Sequence, residues 1–106
     1  MPLVTVFSPE AEAQLVELRL YIAQQAGLRI AQTFTDAIVD HCLSLETFPE
    51  RGVRRDDLRP GLRTISLRGR VTIAYAAGER DLTILAILYA GQDINAVMRD
   101  PEGPEQ

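Results

Sequence analysis

Apolar residues recur at helical spacing through two consecutive stretches of the chain and at strand spacing through most of the remainder. Ala11, Leu15, Leu18, Ile22 and Ala26 follow one another at intervals of 4, 3, 4 and 4 residues, a single stripe on a helix. Ser8-Pro9-Glu10 precedes them with an N-cap serine, a proline at the first helical position and an acidic first turn. Gly27 supplies the stop signal. A second stripe, Ala31, Phe34, Ile38, Cys42 and Leu45, runs at intervals of 3, 4, 4 and 3. It is predicted to end by Phe48-Pro49, because a proline disfavours helical backbone at the residue before it. The short connection at Gly27 makes the two helices an antiparallel hairpin. Ahead of them, residues 3–7 form a short β-rich run.

Three strands are predicted after the helices, at about 62–67, 71–77 and 82–89. The register of the first pair follows from the pattern. A two-residue turn at Arg68-Gly69 would set the apolar residues of the two strands on opposite faces. A loop of Arg68-Gly69-Arg70 sets Leu67 opposite Val71, so that Ile65 and Leu67 share a face with Val71, Ile73 and Tyr75. The second register is expected, since a slip of one residue turns every side chain over. Residues 82–89 are apolar on nearly both faces, which marks a central strand with helices on one side and room for a partner on the other. Between helices and strands, residues 49–61 read as an irregular connection with a short helical turn at Arg55-Asp56-Asp57-Leu58. A loop of that length in a small domain is commonly functional. Residues 92–98 are expected to form a short closing helix, and residues 100–106, acidic and rich in proline and glycine, a disordered tail. The expected fold is α+β, a single domain over residues 1–99. Its helical hairpin packs on a small, mainly antiparallel sheet, in the order β-α-α-β-β-β with the first strand at an edge.

With 106 residues the chain holds one core. No apolar run approaches the ~20 residues that span a bilayer, and the first residues lack the basic start and long apolar stretch of a secretion signal. The one cysteine cannot form an internal disulfide. A cytoplasmic protein without membrane association is expected. Charge changes the picture more. Residues 51–70 hold seven of the eleven basic residues, Arg51, Arg54, Arg55, Arg59, Arg63, Arg68 and Arg70, against Asp56 and Asp57, a net of +5 in a chain of net −4. An acidic protein that keeps one basic segment presents it to an anion. The anion can be a phosphate backbone, an acidic partner chain or the protein's own acidic surface. Every basic residue is arginine, so no lysine is available as nucleophile or base. His41 sits at the edge of the second stripe, beside Cys42, with no metal-ligand spacing around it. Cys42 reads as a buried thiol, Tyr21 and Tyr75 as core or groove residues. No phosphate-binding glycine loop is present, and no cofactor or metal is expected.

This order of elements resembles the RelE/ParE superfamily of toxins from bacterial type II toxin–antitoxin systems, and most closely its ParE branch. The likeness is carried by Ser8-Pro9-Glu10-Ala11, Leu15, Leu18, Tyr21 and Ile22, then by Gly27, Ala31, Phe34 and Ile38. It continues in Phe48-Pro49-Glu50-Arg51-Gly52, in Leu58-Arg59-Pro60-Gly61-Leu62-Arg63 and in Ile87-Leu88-Tyr89-Ala90-Gly91-Gln92-Asp93, and spans about residues 3–98. The resemblance implies a toxin neutralised by a cognate acidic antitoxin that folds on binding. RelE-type members cleave mRNA on the ribosome, whereas ParE-type members poison DNA gyrase.

For a nuclease the candidate residues are Arg63, Arg68 and Arg70 for charge and Tyr89 as acid. Arginine is a poor proton shuttle, no base is evident, and net negative charge opposes entry into an RNA-walled site. A gyrase poison needs a binding surface and no catalytic residue, and this reading is preferred. Contacts with antitoxin or target are expected from Arg54, Arg55, Arg59, Arg63, Arg68, Arg70 and Tyr89, without sequence-specific nucleic-acid binding. Some of these arginines are expected to pair instead with Asp56, Asp57, Asp93 and the acidic helix surfaces. A third reading is a non-toxic relative that only binds its antitoxin.

Overall fold

The computed structural model describes residues 3–89. Strand β1 (Val4–Phe7) leads into helices α1 (Pro9–Ala26) and α2 (Leu28–Ser44), followed by β2 (Val53–Arg54), β3 (Arg63–Leu67), β4 (Val71–Ala77) and β5 (Asp81–Tyr89). The strands form one sheet in the order β1-β5-β4-β3-β2. Only the β1–β5 pair is parallel. This is the α+β architecture that the hydrophobic pattern predicts, with β1 at an edge and β5 inside the sheet. The closing helix expected at 92–98 and the tail at 100–106 lie outside the described residues.

The helix signals act as read. The Ser8 hydroxyl accepts the Ala11 N–H at 3.0 Å, and Pro9 opens α1. Gly27, at φ 98°, donates to the Ala23 carbonyl at 2.9 Å and accepts from Ala31 at 3.1 Å. One residue in a backbone region that favours glycine therefore closes α1 and opens α2. Helix α2 stops at Ser44, earlier than the proline signal suggests. There the bonds tighten to three-residue turns from Leu45 to Cys42 and from Glu46 to Leu43. The Glu46 carboxylate then accepts the Thr5 N–H at 2.8 Å and its hydroxyl at 2.6 Å, which ties the helix exit to the edge strand.

One face of the sheet packs on the helical stripe. Leu18, Ile22, Ala31, Ile38, Cys42 and Leu45 are buried against Val71, Ile73, Tyr75, Leu82, Ile84 and Ile87. Leu15 and Phe34 are partly buried there, and Ala26 is exposed. Leu67 opposes Val71 and Ile65 opposes Ile73, as the loop of three residues requires. Two features were not legible in the pattern. Tyr75 opposes Ile84 while Ala74 opposes Ala86, so Leu85 is an extra residue, a bulge. Beyond it β5 has no strand at its β1 side among the described residues, and the start of α1 serves that edge. Ser8 donates its hydroxyl to the Leu85 carbonyl at 3.2 Å, and Gln14 Oε1 accepts the Ile87 N–H at 2.7 Å.

The opposite face corrects an expectation. At Ala86 and Leu88 it is covered by the chain's own Leu58 and Leu62, which join Ala74 in a second buried cluster. The connection at 49–61 is therefore part of the fold. Burial of two leucines, at about 1.5–3 kcal/mol each, holds it against the sheet. It also contains β2, too short for alternation to reveal, and the expected turn, closed by Leu58 N–H on the Arg55 carbonyl at 3.0 Å.

The entry to this connection is fixed from within the core. Fully buried Tyr75 donates its hydroxyl to the Pro49 carbonyl at 2.9 Å and accepts the Gly52 N–H at 2.9 Å. A Cβ at Gly52 would lie 2.7 Å from both the Tyr75 hydroxyl and the Thr64 carbonyl. Tyr75→Phe leaves a buried N–H and a carbonyl unpaired and is expected to lower unfolding free energy by about 1–3 kcal/mol. Gly52→Ala forces the same contact apart and is expected to lower it by about 1–3 kcal/mol. Urea denaturation at neutral pH measures both.

Candidate functional site

The basic segment is divided between the two ends of β3. Arg63 begins the strand and the loop of Arg68, Gly69 and Arg70 follows its last residue, five residues on and about 16 Å away. The candidates at the first end are largely engaged within the protein. Arg54 contacts Asp56 at 2.8 Å, and Arg55 holds Asp57 in a two-pronged pair at 3.0 and 2.9 Å. The Gly61 N–H, followed by the charge of Arg54, keeps the Asp56 carboxyl below its ordinary range. Arg55 does the same for Asp57. The bonds of Asp56 to Arg54 and to Gly61 N–H fold the turn on itself.

Arg63 lies opposite Tyr75 and donates to the carbonyls of Gly52 at 2.8 Å and Glu50 at 3.3 Å. Its role in the described structure is to hold the turn that the Tyr75 hydroxyl also holds. Arg51 stacks over the exposed Phe48 ring at 5.5 Å. Arg59 is partly exposed and makes no ion pair among the described residues.

The second end differs. Arg68 and Arg70 are exposed in a loop whose residues 68 and 69 take positive φ values of 56° and 68°, which suits a tight hairpin. Neither makes an ion pair among the described residues. Tyr89, the last described residue, opposes Val71 beside this loop. Its ring meets Tyr21 at 6.1 Å and Phe34 edge-on at 6.2 Å, so it belongs to an aromatic group beneath both helices. Tyr21 is about half exposed and lines the surface, while Tyr75 is core.

The nuclease candidates Arg63, Arg68, Arg70 and Tyr89 therefore do not meet at one point, because Arg63 stands at the opposite end of the sheet from the others. Gly52, Tyr75 and the Leu58–Leu62 pair were missed as determinants of the basic segment's shape. The Phe48-Pro49 turn hints at the first, but a tyrosine hydroxyl reaching across 23 residues leaves no local signal. Among the described residues, no group of three His, Cys, Asp or Glu could hold a metal ion. No helix among them is long and apolar enough to cross a membrane.

Burial pushes the Cys42 thiol up to about 12, which makes it an inert core residue. His41 is partly buried at the edge of α2, its Nε2 enclosed without a hydrogen-bond partner among the described residues. Burial first, and the charge of Arg51 second, lower its pKa below the ordinary 6.5. The unfolded chain then binds the proton more readily than the folded one, so stability present above that value is lost as pH falls through it. The midpoint of urea unfolding is expected to drop between pH 7.5 and 5.5 in the wild type, the window set by the ordinary value of 6.5. His41→Asn is expected to flatten that interval and leave intact the further loss at lower pH, where Glu46, Asp56 and Asp57 protonate.

The family described as ParE toxin of type II toxin-antitoxin system, parDE, matches residues 5–94. No curated protein matches the sequence. Among solved structures, the chain is similar to one titled as the chromosomal ParDE TA system from P. aeruginosa, with a TM-score of 0.73 and 20% identity. The match covers 83% of this chain and 96% of that one, and at this identity it is a likeness of fold. With its arginine-bearing connection and helical hairpin matched over nearly the whole described length, the chain belongs to the ParE toxin family of type II toxin–antitoxin systems.

Proposed function

We propose that the protein acts in the cytoplasm as a toxin that inhibits DNA gyrase by binding it, and that a cognate acidic antitoxin neutralises it. The observation that carries this reading is the dispersal of the groups a nuclease would need. Cleavage of RNA by 2′-hydroxyl attack requires a base, an acid and phosphate-stabilising charge within a few ångströms of one phosphate. Arg63 is turned onto backbone carbonyls, Tyr89 is packed among aromatic rings, and the exposed guanidiniums of Arg68 and Arg70 stand at a loop tip. Such an arrangement suits contact with a large acidic surface better than proton transfer. Family membership supports the antitoxin half of the reading.

Purified toxin freed of antitoxin is expected to block gyrase supercoiling in vitro and to accumulate cleaved DNA, and addition of antitoxin is expected to reverse both. The Arg54→Ala variant, which removes only an exposed pair with Asp56, is expected to retain inhibition. Full supercoiling at a large excess of toxin, together with ribosome-dependent mRNA cleavage, would overturn the proposal in favour of a RelE-like nuclease. Inactivity in both assays, and no growth arrest on expression alone, would leave a protein that only binds its antitoxin.

A further inference from the structure

The edge of the sheet at β1 is closed by side chains. Val4 and Ser8 donate their N–H groups to the Arg80 and Ile84 carbonyls, both at 2.9 Å. The backbone of the intervening Thr5 alternates with theirs, so its N–H and C=O turn away from β5. An outward N–H on an edge strand is a template for a further strand. Here the Glu46 carboxylate occupies it, accepting the N–H at 2.8 Å and the Thr5 hydroxyl at 2.6 Å with the same oxygen. Where β1 ends, Ser8 takes the Leu85 carbonyl and Gln14 the Ile87 N–H of β5. The sheet's other edge, β2, is two residues long and offers little to pair with.

Behind that carboxylate the strand is self-complementary. Leu3 and Phe7 pack toward the core, whereas Val4 and Val6, on the other face, are 61% and 42% exposed. A second copy placed antiparallel about a two-fold axis at Thr5 would exchange a pair of N–H···O=C bonds between the two Thr5 residues. The same register sets Val4 of each copy opposite Val6 of the other, so their side chains would meet on one face. Glu46 stands in the way as a charge. The Thr5 hydroxyl first, and its N–H second, hold the Glu46 carboxyl below its ordinary range.

We propose that Glu46 is a latch on β1, whose contact with Thr5 keeps this edge strand from pairing with β1 of a second copy. A strand seated there would take away the N–H that the carboxylate holds and enclose its charge. The latch is set by the tertiary structure, since Glu46 reaches β1 only because α2 ends at Ser44 and the chain tightens into three-residue turns. The paired edges would be four residues long, well short of the roughly 1,200 Å² that a stable interface buries. Opening the latch therefore gives a weak, concentration-dependent dimer. The inference is independent of what the protein binds or inhibits.

The test is sedimentation velocity of the full chain over a range of concentrations, with amide hydrogen exchange read at Thr5. The wild type is expected to stay a monomer whose Thr5 amide is protected at every concentration. Glu46→Ala is expected to dimerise at least about tenfold more tightly than the wild type, with Thr5 protection that appears only as the dimer forms. Glu46→Gln, whose amide oxygen can accept both Thr5 donors, is expected to remain monomeric. Adding Thr5→Pro to Glu46→Ala removes the outward N–H at an edge position that tolerates proline, and is expected to restore the monomer. Should Glu46→Ala lose its helical circular dichroism, Glu46→Asp, one methylene shorter, replaces it in both measurements with the same expectations. A folded variant of either kind that stays monomeric would overturn the proposal. So would association that survives Thr5→Pro, or a wild type whose Thr5 protection depends on concentration.

Discussion

The hydroxyl of Tyr75 is the contact on which the shape of the basic segment depends. Its ring belongs to the core under the helices, and its oxygen reaches out to bind both sides of the turn at Pro49 and Gly52. That turn sets where β2 begins and gives Arg63 the carbonyls it holds. The geometry tolerates no side chain at residue 52, since the space a Cβ needs is taken by the hydroxyl itself. A polar group buried with both partners in place rigidifies its surroundings, and one left without them destabilises them. The connection is thus an extension of the core, anchored at one end by Tyr75 and along its length by Leu58 and Leu62.

This anchoring decides what the arginines do. A run of basic residues suggests one binding surface, but β3 carries its two halves to opposite ends of the sheet. At the near end Arg54 and Arg55 meet Asp56 and Asp57, and Arg63 meets backbone carbonyls. At the far end Arg68 and Arg70 stand exposed in a tight loop and make no ion pair among the described residues. Of the seven arginines close in sequence, Arg51, Arg54, Arg55 and Arg63 are engaged within the chain, whereas Arg59, Arg68 and Arg70 make no ion pair among the described residues.

In this member of the ParE family the division distinguishes arginines engaged within the chain from arginines that make no ion pair among the described residues. Substitution at Arg63 or Tyr75 acts on the fold before it acts on any partner, so loss of function there says little about contact. Arg68, Arg70, Leu28 and Ile30 are exposed, so substitution there leaves the core untouched. Cys42 is buried as a neutral thiol, His41 is biased toward its neutral form at the edge of α2, and Tyr89 lies among rings.

The amino-acid sequence by itself determined the helical hairpin, its caps at Ser8 and Gly27, the three main strands and the β3–β4 register. Each of these follows from periodicity or from residues adjacent along the chain. The family resemblance was legible for the same reason, since it is carried by short local motifs in a fixed order. Only the tertiary structure decided the bulge at Leu85, the cover of the second sheet face by Leu58 and Leu62, the lock at Tyr75 and the division of the arginines. Those depend on contacts between residues far apart in the chain, whose partners are chosen by how the sheet and helices pack. Charge shows where such contacts are possible, and packing alone settles which arginines are engaged within the chain.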